Sequence, residues 1–241
     1  MTFPAPIDLG KSGEAFLNFL QDWLARLPVV TLESLLGKCG AQETALLSID
    51  VVNGFCREGN LASPRVGRIV EPIVRLFKTA EQLGIDHYVL LQDCHPADSK
   101  EFSIYPEHCT EGSEEAKTVA ELRDLPHSFK FRVFPKTTID PSLEKEFVDW
   151  LAGHDTLRQF LVVGDCTDIC VYELALFLKT RAVKRNRSSN IVVPANCVDT
   201  YDIAVEAVRG TRILPHPADV LHAVFLYHMQ LNGIQIVAGI E

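Results

Sequence analysis

No apolar run in the sequence approaches the ~20 residues that a membrane span needs. The opening stretch MTFPAPIDLG has neither the basic start nor the continuous apolar core of a secretory signal, so a cytoplasmic location is expected. Positive charge is also scarce: 23 Lys and Arg against 32 Asp and Glu leave a formal net charge of -9, with both signs mixed along the chain. That balance offers no concentrated basic surface for phosphates, so nucleic acid is not expected as a partner. Nor is there a disulfide framework, since seven cysteines are an odd number at irregular spacing. They are read as reduced thiols, each to be judged as core, ligand or nucleophile. Internal repeats and low-complexity tracts are absent, and the only convincing linker lies before Ala41.

What is present reads as an α/β chain. With 241 residues, 47% of them hydrophobic, it can bury a sizeable core. We expect a helical extension over residues 1–40 and one main domain over 41–241. From Gly13 to Leu27, apolar residues recur at three- and four-residue spacing, which marks an amphipathic helix suited to pack on the main body or on a second copy of the chain. The apolar segment Ala45–Ile49 then reads as a strand running into Asp50. Beyond it the pattern alternates: helix near Val66–Leu83, strand His87–Leu91, a long loop from Asp93 to about Ser113, and a short helix reaching Leu122. Next come strand Phe129–Val133, helix Leu143–Leu151 and strand Phe160–Val163. A helix near Asp168–Arg181, strand Ile191–Val193, helices near Ile203–Arg209 and Ala218–Leu231, and strand Ile234–Val237 complete it. Strands alternating with helices predict a mainly parallel sheet covered on both faces, a three-layer α/β/α sandwich. In such sheets ligands bind beyond the carboxyl ends of the strands, where Asp50, Asp93, Lys136 and Cys170 fall.

The segment Val163-Gly164-Asp165-Cys166-Thr167-Asp168-Ile169-Cys170-Val171 runs from a strand through a turn into a helix. Cys170 is placed in the first helical turn, where unpaired backbone N–H groups favour a thiolate and can receive charge developing on a carbonyl oxygen. The bland alternative is a small buried hydrophobe, which is what most free cysteines are. Asp50 and Lys136 are the candidates for the proton acceptor and the balancing cation. Their alternative reading is an ordinary salt bridge at the end of the sheet, or two unrelated charges.

Asp50 in SIDVVNGFC, Lys136 in FRVFPKT and Cys170 in GDCTDICV resemble the nicotinamidase branch of the isochorismatase-like cysteine hydrolases, over roughly Ala41 to Gly239. The resemblance implies Cys170 as nucleophile, Asp50 as general base and acid, and Lys136 as the cation beside them. It also implies a cis peptide bond between Asp165 and Cys166, with the N–H groups of Cys166 and Cys170 forming the oxyanion hole. Asp93-Cys94-His95-Pro96 and Tyr105-Pro106-Glu107-His108-Cys109 are similar to that branch's metal-binding DxHP and PxHC pair. Asp93, His95 and His108 would then hold one divalent ion, with zinc placed before iron or manganese. The alternative is a pair of loop histidines hydrogen-bonded to backbone. Ser99 stands where many relatives have a further histidine; Glu101 is expected to replace it, with Asp98 as the competitor. Phe55 and Tyr105 resemble the residues that sandwich the pyridine ring.

The activity so implied is conversion of nicotinamide to nicotinate and ammonia through a thioester, as in NAD salvage. The competing expectations are a related amidohydrolase acting on a ureido, carbamoyl or maleamate-type substrate, or a non-catalytic protein that keeps the fold. Relatives are commonly oligomeric, which makes self-association an expectation as well.

Overall fold

The computed structural model describes residues 8–241. Its first helix, α1 (Leu9–Ala25), starts four residues earlier than the apolar periodicity predicts, because the Asp8 carboxylate accepts the Gly10 N–H and caps the end. Then come β1 (Val29–Val30) and α2 (Leu32–Cys39), the latter capped by the Thr31 hydroxyl. The alternating part runs β2 (Thr44–Ile49), α3 (Asn53–Cys56), α4 (Pro64–Gln82), β3 (His87–Asp93), α5 (Ala120–Arg123), β4 (Phe131–Lys136), α6 (Lys145–Gly153) and β5 (Gln159–Asp165). It continues through α7 (Cys170–Lys184), β6 (Asn190–Pro194), β7 (Val198–Asp199), α8 (Ala218–Leu231), β8 (Gln235–Val237) and β9 (Gly239–Ile240).

The main sheet has the strand order β4-β3-β2-β5-β6-β8, and β7 pairs with the end of β5 beyond the reach of β6. All of these pairings are parallel, which agrees with the expected sheet. Alternate residues of each strand face opposite helical layers. Leu46, Leu90, Leu161 and Val163 point toward α2 and α4, where they meet Leu35, Ile73 and Phe77. Leu47, Val89, Phe160 and Val162 point toward α6, α7 and α8, where they meet Phe147, Leu174 and Leu226. A strand covered on both faces is mostly apolar, and all six residues of β2 are buried, Thr44 and Ser48 being its two polar members. Each such Leu, Ile or Val contributes ~1.5–3 kcal/mol on leaving water.

The first and last described segments are stitched together. β1 pairs with β9, Leu32 N–H donates to Glu241 O at 2.7 Å, and Leu32 and Leu35 are fully buried in the core on the α4 side. Helix α1 lies across α8, with the Phe19 and Trp23 rings each 5.4 Å from that of Tyr227. Among the described residues no helix is long and apolar enough to cross a membrane.

Two sequence expectations are corrected. The strand predicted from Phe129 begins at Phe131, since Ser128–Lys130 form a 3-10 turn that leaves Phe129 exposed, and pairing starts at Tyr88↔Phe131. The helix predicted over Ile203–Arg209 does not form. Only Glu206–Val208 make a 3-10 turn, because the segment doubles back and Ile203 bridges antiparallel to His216.

Candidate active site

Strand order decides what meets at the rim. β4, β3, β2 and β5 are consecutive neighbours, so Lys136, Asp93, Asp50 and Asp165 form a row at their carboxyl ends. Asp93 and Lys136 are register partners. Asp50 stands one residue past β2 with a positive φ of 58°, a conformation that Asp tolerates better than most side chains. Its Oδ1 accepts the Asp93 N–H at 2.8 Å. The close approach of β5 depends on Gly164, where a Cβ would lie 1.9 Å from Ile49 O and φ is 123°. The peptide bond between Asp165 and Cys166 is cis, and Cys170 opens α7.

Lys136 joins the set. Its side chain is inaccessible to solvent, and its Nζ forms an ion pair with Asp50 Oδ2 at 2.7 Å. The same Nζ makes a close contact with Asp93 Oδ1, and it lies 3.5 Å from Cys170 Sγ. A lone buried ammonium is costly, whereas one shared by two carboxylates and a thiol is compensated. Burial favours the neutral form of Lys136, yet the charges of Asp50 and Asp93 outweigh it and hold the group well above its ordinary range. Burial and the neighbouring Asp93 charge push Asp50 up to about 7, against the pull of Lys136. Burial also drives the Cys170 thiol well above its usual range, with Lys136 opposing. Burial thus works against the thiolate expected from the helix start, while Lys136 works in its favour.

A second group shares Asp93. One ligand atom each from Asp93, His95, Glu101 and His108 lies within 4.8 Å of the others. Asp93 divides its oxygens: Oδ1 faces Lys136, while Oδ2 lies 3.5 Å from His95 Nε2 and 3.4 Å from His108 Nε2. Burial alone would raise Asp93, but Lys136 and the two histidines hold it well below the usual carboxylate range. His108 Nδ1 sits 2.7 Å from Pro106 O, which leaves Nε2 with its lone pair directed at the group. The His95 ring is fully buried, and neither nitrogen has a hydrogen-bond partner. Two imidazoles and two carboxylates suit a borderline divalent ion, and such an ion would give one of the unpartnered His95 nitrogens a partner. Glu101 belongs to this group. Asp98, its competitor, is exposed and outside it. The two histidine segments are tied by His95 N–H to Cys109 O and Glu111 N–H to His95 O.

Above these groups opens a cleft of about 480 Å³. Cys166 and Cys170 lie on its floor together with Asp50, and Phe55 and Tyr105 are on its walls, their rings 5.5 and 6.4 Å from that of His108. The expected residues thus reach one cleft or its metal-ligating flank, except Lys136, which is buried behind the cleft in contact with Asp50, Asp93 and Cys170. Six more lining residues carried no expected role: Leu61, Val66, Ile139, Asp165, Ile169 and Tyr201. Asp165 stood in the motif itself, at a strand end, and that position was its signal. Tyr201 follows a two-residue strand too short to read from periodicity. The remaining cysteines are free: Cys56, Cys109 and Cys197 are packed in the core, while Cys39 and Cys94 are half-buried; Gly54 must lack a side chain because a Cβ there would lie 2.6 Å from Cys109 Sγ.

Comparison with known proteins agrees with this geometry. Residues 44–212 match the isochorismatase domain family. Nicotinamidase 1 of Arabidopsis thaliana is 30% identical over 217 residues, covering 81% of this chain and 86% of that protein. The crystal structure of a nicotinamidase/pyrazinamidase from Bacillus subtilis superposes with a TM-score of 0.65 at 23% identity, covering 81% of this chain and 99% of that one. A pyrazinamidase of Pyrococcus horikoshii, solved in complex with zinc, shares the fold with a TM-score of 0.62 at 21% identity, covering 81% and 98%.

Proposed function

The chain belongs to the isochorismatase family, and we propose that within it this protein is a cysteine amidohydrolase converting nicotinamide to nicotinate and ammonia. The observation that carries the proposal is Lys136, whose single ammonium touches Asp50, Asp93 and Cys170 beneath a cleft with aromatic walls. It links the groups for proton transfer and nucleophilic attack to the group that would hold a metal. The likeness to Arabidopsis Nicotinamidase 1 supports the substrate class.

In the proposed reaction the pyridine ring lies between Phe55 and Tyr105, so that binding sets the carboxamide beside Cys170. Asp50 takes the Cys170 thiol proton as the sulfur attacks the carbonyl carbon. The backbone N–H groups of Cys166 and Cys170 receive the negative charge on the tetrahedral oxygen. As the C–N bond breaks, Asp50 passes its proton to the departing nitrogen, which leaves as ammonia. A water then attacks the thioester, Asp50 accepts its proton, and the C–S bond breaks to release nicotinate and return Cys170 to a thiol. Lys136 keeps the local charge balanced at each stage. Asp93, His95, Glu101 and His108 would hold one divalent ion, which supplies a Lewis acid for the ring nitrogen and so fixes the substrate's orientation. Ureido or carbamoyl substrates would leave the two aromatic walls without a ring to stack on, which favours the pyridine amide. Seven free thiols fit a reducing, cytoplasmic setting.

The test is direct. Wild-type protein should release nicotinate and ammonia in equal amounts from nicotinamide, and Cys170→Ala should lose at least about 10⁴-fold in kcat. Normal turnover by Cys170→Ala would exclude the covalent route.

A further inference from the structure

The cleft has an aromatic wall that the motifs do not account for. Tyr201 lines it together with Cys166 and Ile169. Its ring is stacked on the imidazole of His216, with centroids 3.9 Å apart and planes at 17°. His216 is pinned at both nitrogens: Nε2 lies 2.8 Å from Asp168 Oδ2 and Nδ1 lies 2.8 Å from the Tyr201 carbonyl oxygen. The Asp168 side chain is only 6% exposed, and the residue sits two before Cys170, in the turn that leads into α7. The backbone carries the same link, since Thr167 N–H donates to Asp199 O at 3.0 Å and Ile203 bridges to His216. The wall and the turn bearing the nucleophile are therefore held as one unit by side-chain and main-chain contacts.

Resting on the amidohydrolase reading above, we propose that Tyr201 is a specificity-determining residue, a third aromatic wall that selects flat ring amides, and that His216 positions it through its clamp on Asp168. A free tyrosine at the end of a short strand would sample several rotamers and lose its stacking advantage on ordering. A ring already stacked on a fixed imidazole presents one face to the cleft with that entropy already removed. The clamp coincides with the path of the 203–209 segment, which doubles back so that Ile203 bridges His216 while His216 reaches Asp168. Tyr201 and His216 touch no reacting atom in this arrangement, so their contribution is expected in binding rather than in turnover.

The test is a kinetic comparison of nicotinamide and benzamide with an aliphatic amide, isobutyramide, on wild type, Tyr201→Ala, Tyr201→Phe and His216→Ala. Tyr201→Ala should raise KM for the ring amides about tenfold with kcat held within about threefold, and so lower the ring-to-aliphatic ratio of kcat/KM about tenfold. Tyr201→Phe should behave as wild type, since the flat face is kept. His216→Ala should move the ratio in the same direction by raising KM. An unchanged ratio in Tyr201→Ala, or an equal loss of kcat on every amide, would overturn the proposal. Should Tyr201→Ala fail to fold, Tyr201→Leu keeps the bulk without the flat face and is expected to lower the ratio likewise. If wild type hydrolyses benzamide but not nicotinamide, the proposed substrate falls while the ratio still tests the wall. If it hydrolyses none of the three, the activity falls, and protection of Cys170 from iodoacetamide by the same amides becomes the readout: weaker protection by ring amides in Tyr201→Ala upholds the wall, and equal protection overturns it.

Discussion

The ammonium of Lys136 lies 3.5 Å from the sulfur of Cys170, although the two residues are 34 positions apart and both are buried. That contact places a cation beside a sulfur whose burial opposes the charged form and whose negative charge the cation would offset. In the proposed reaction that stabilisation would fall mainly on the reacting state, where it would lower the barrier.

Removing that cation should cost both activity and stability. Lys136→Ala leaves Asp50 and Asp93 facing each other in a buried site without compensation. We expect a loss of about 3–5 kcal/mol in unfolding free energy, measured by urea denaturation, and a fall in kcat of at least about 10²-fold. A variant with unchanged stability would show that water reaches and screens the two carboxylates.

Metal content should follow the geometry of the loop. Purified protein is expected to carry one equivalent of a divalent ion by elemental analysis, which a strong chelator removes. His95→Ala and Glu101→Gln should each weaken metal retention by about 10–100-fold or more, while Asp98→Asn leaves it unchanged. Restoring the metal at about 100 times its Kd should raise the unfolding free energy by about 2.7 kcal/mol. Equal loss in Asp98→Asn would reinstate that residue as the ligand.

Gly164 is a strict steric requirement. An alanine there would bring its Cβ within 1.9 Å of Ile49 O, at a φ of 123° that L side chains rarely adopt. We expect Gly164→Ala to destabilise the protein by more than about 3 kcal/mol and to displace Asp50 from the rim. The check is soluble yield with circular dichroism, and a stable, active Gly164→Ala would contradict the close approach of β5 to β2.

Stability should fall on mild acidification in part through His127. This imidazole is buried against Tyr88 and Phe131, and burial holds it below its ordinary value of 6.5, with Glu81 favouring and Lys130 opposing its charge. The unfolded ring binds a proton near 6.5 while the folded ring binds it only at lower pH. Its contribution is thus present above 6.5 and is lost as pH falls through the folded value. His127→Gln should show a smaller drop in denaturation midpoint between about pH 7 and about pH 5 than wild type. An identical drop would assign the acid sensitivity to other groups.

The sequence by itself determined the alternation of strands and helices, because burial on one or both faces imposes a period that local residues must carry. It also determined which residue types stand after each strand: Asp50, Asp93 and Lys136, with Cys170 opening the helix after the next. Tertiary structure decided the rest. The order β4-β3-β2-β5 is a pairing of distant segments, and only that order turns four separate strand ends into one row. Glu101 rather than Asp98 faces the histidines because a 3-10 turn at Lys100–Ser103 carries it inward, and its neighbours in sequence do not encode that choice. Tyr201 gains a place in the cleft through a contact between His216 and Asp168, 48 positions apart. The protonation of Cys170 belongs to the same class. A helix start is local and favours the thiolate, whereas the desolvation that opposes it is set by everything that packs around the sulfur.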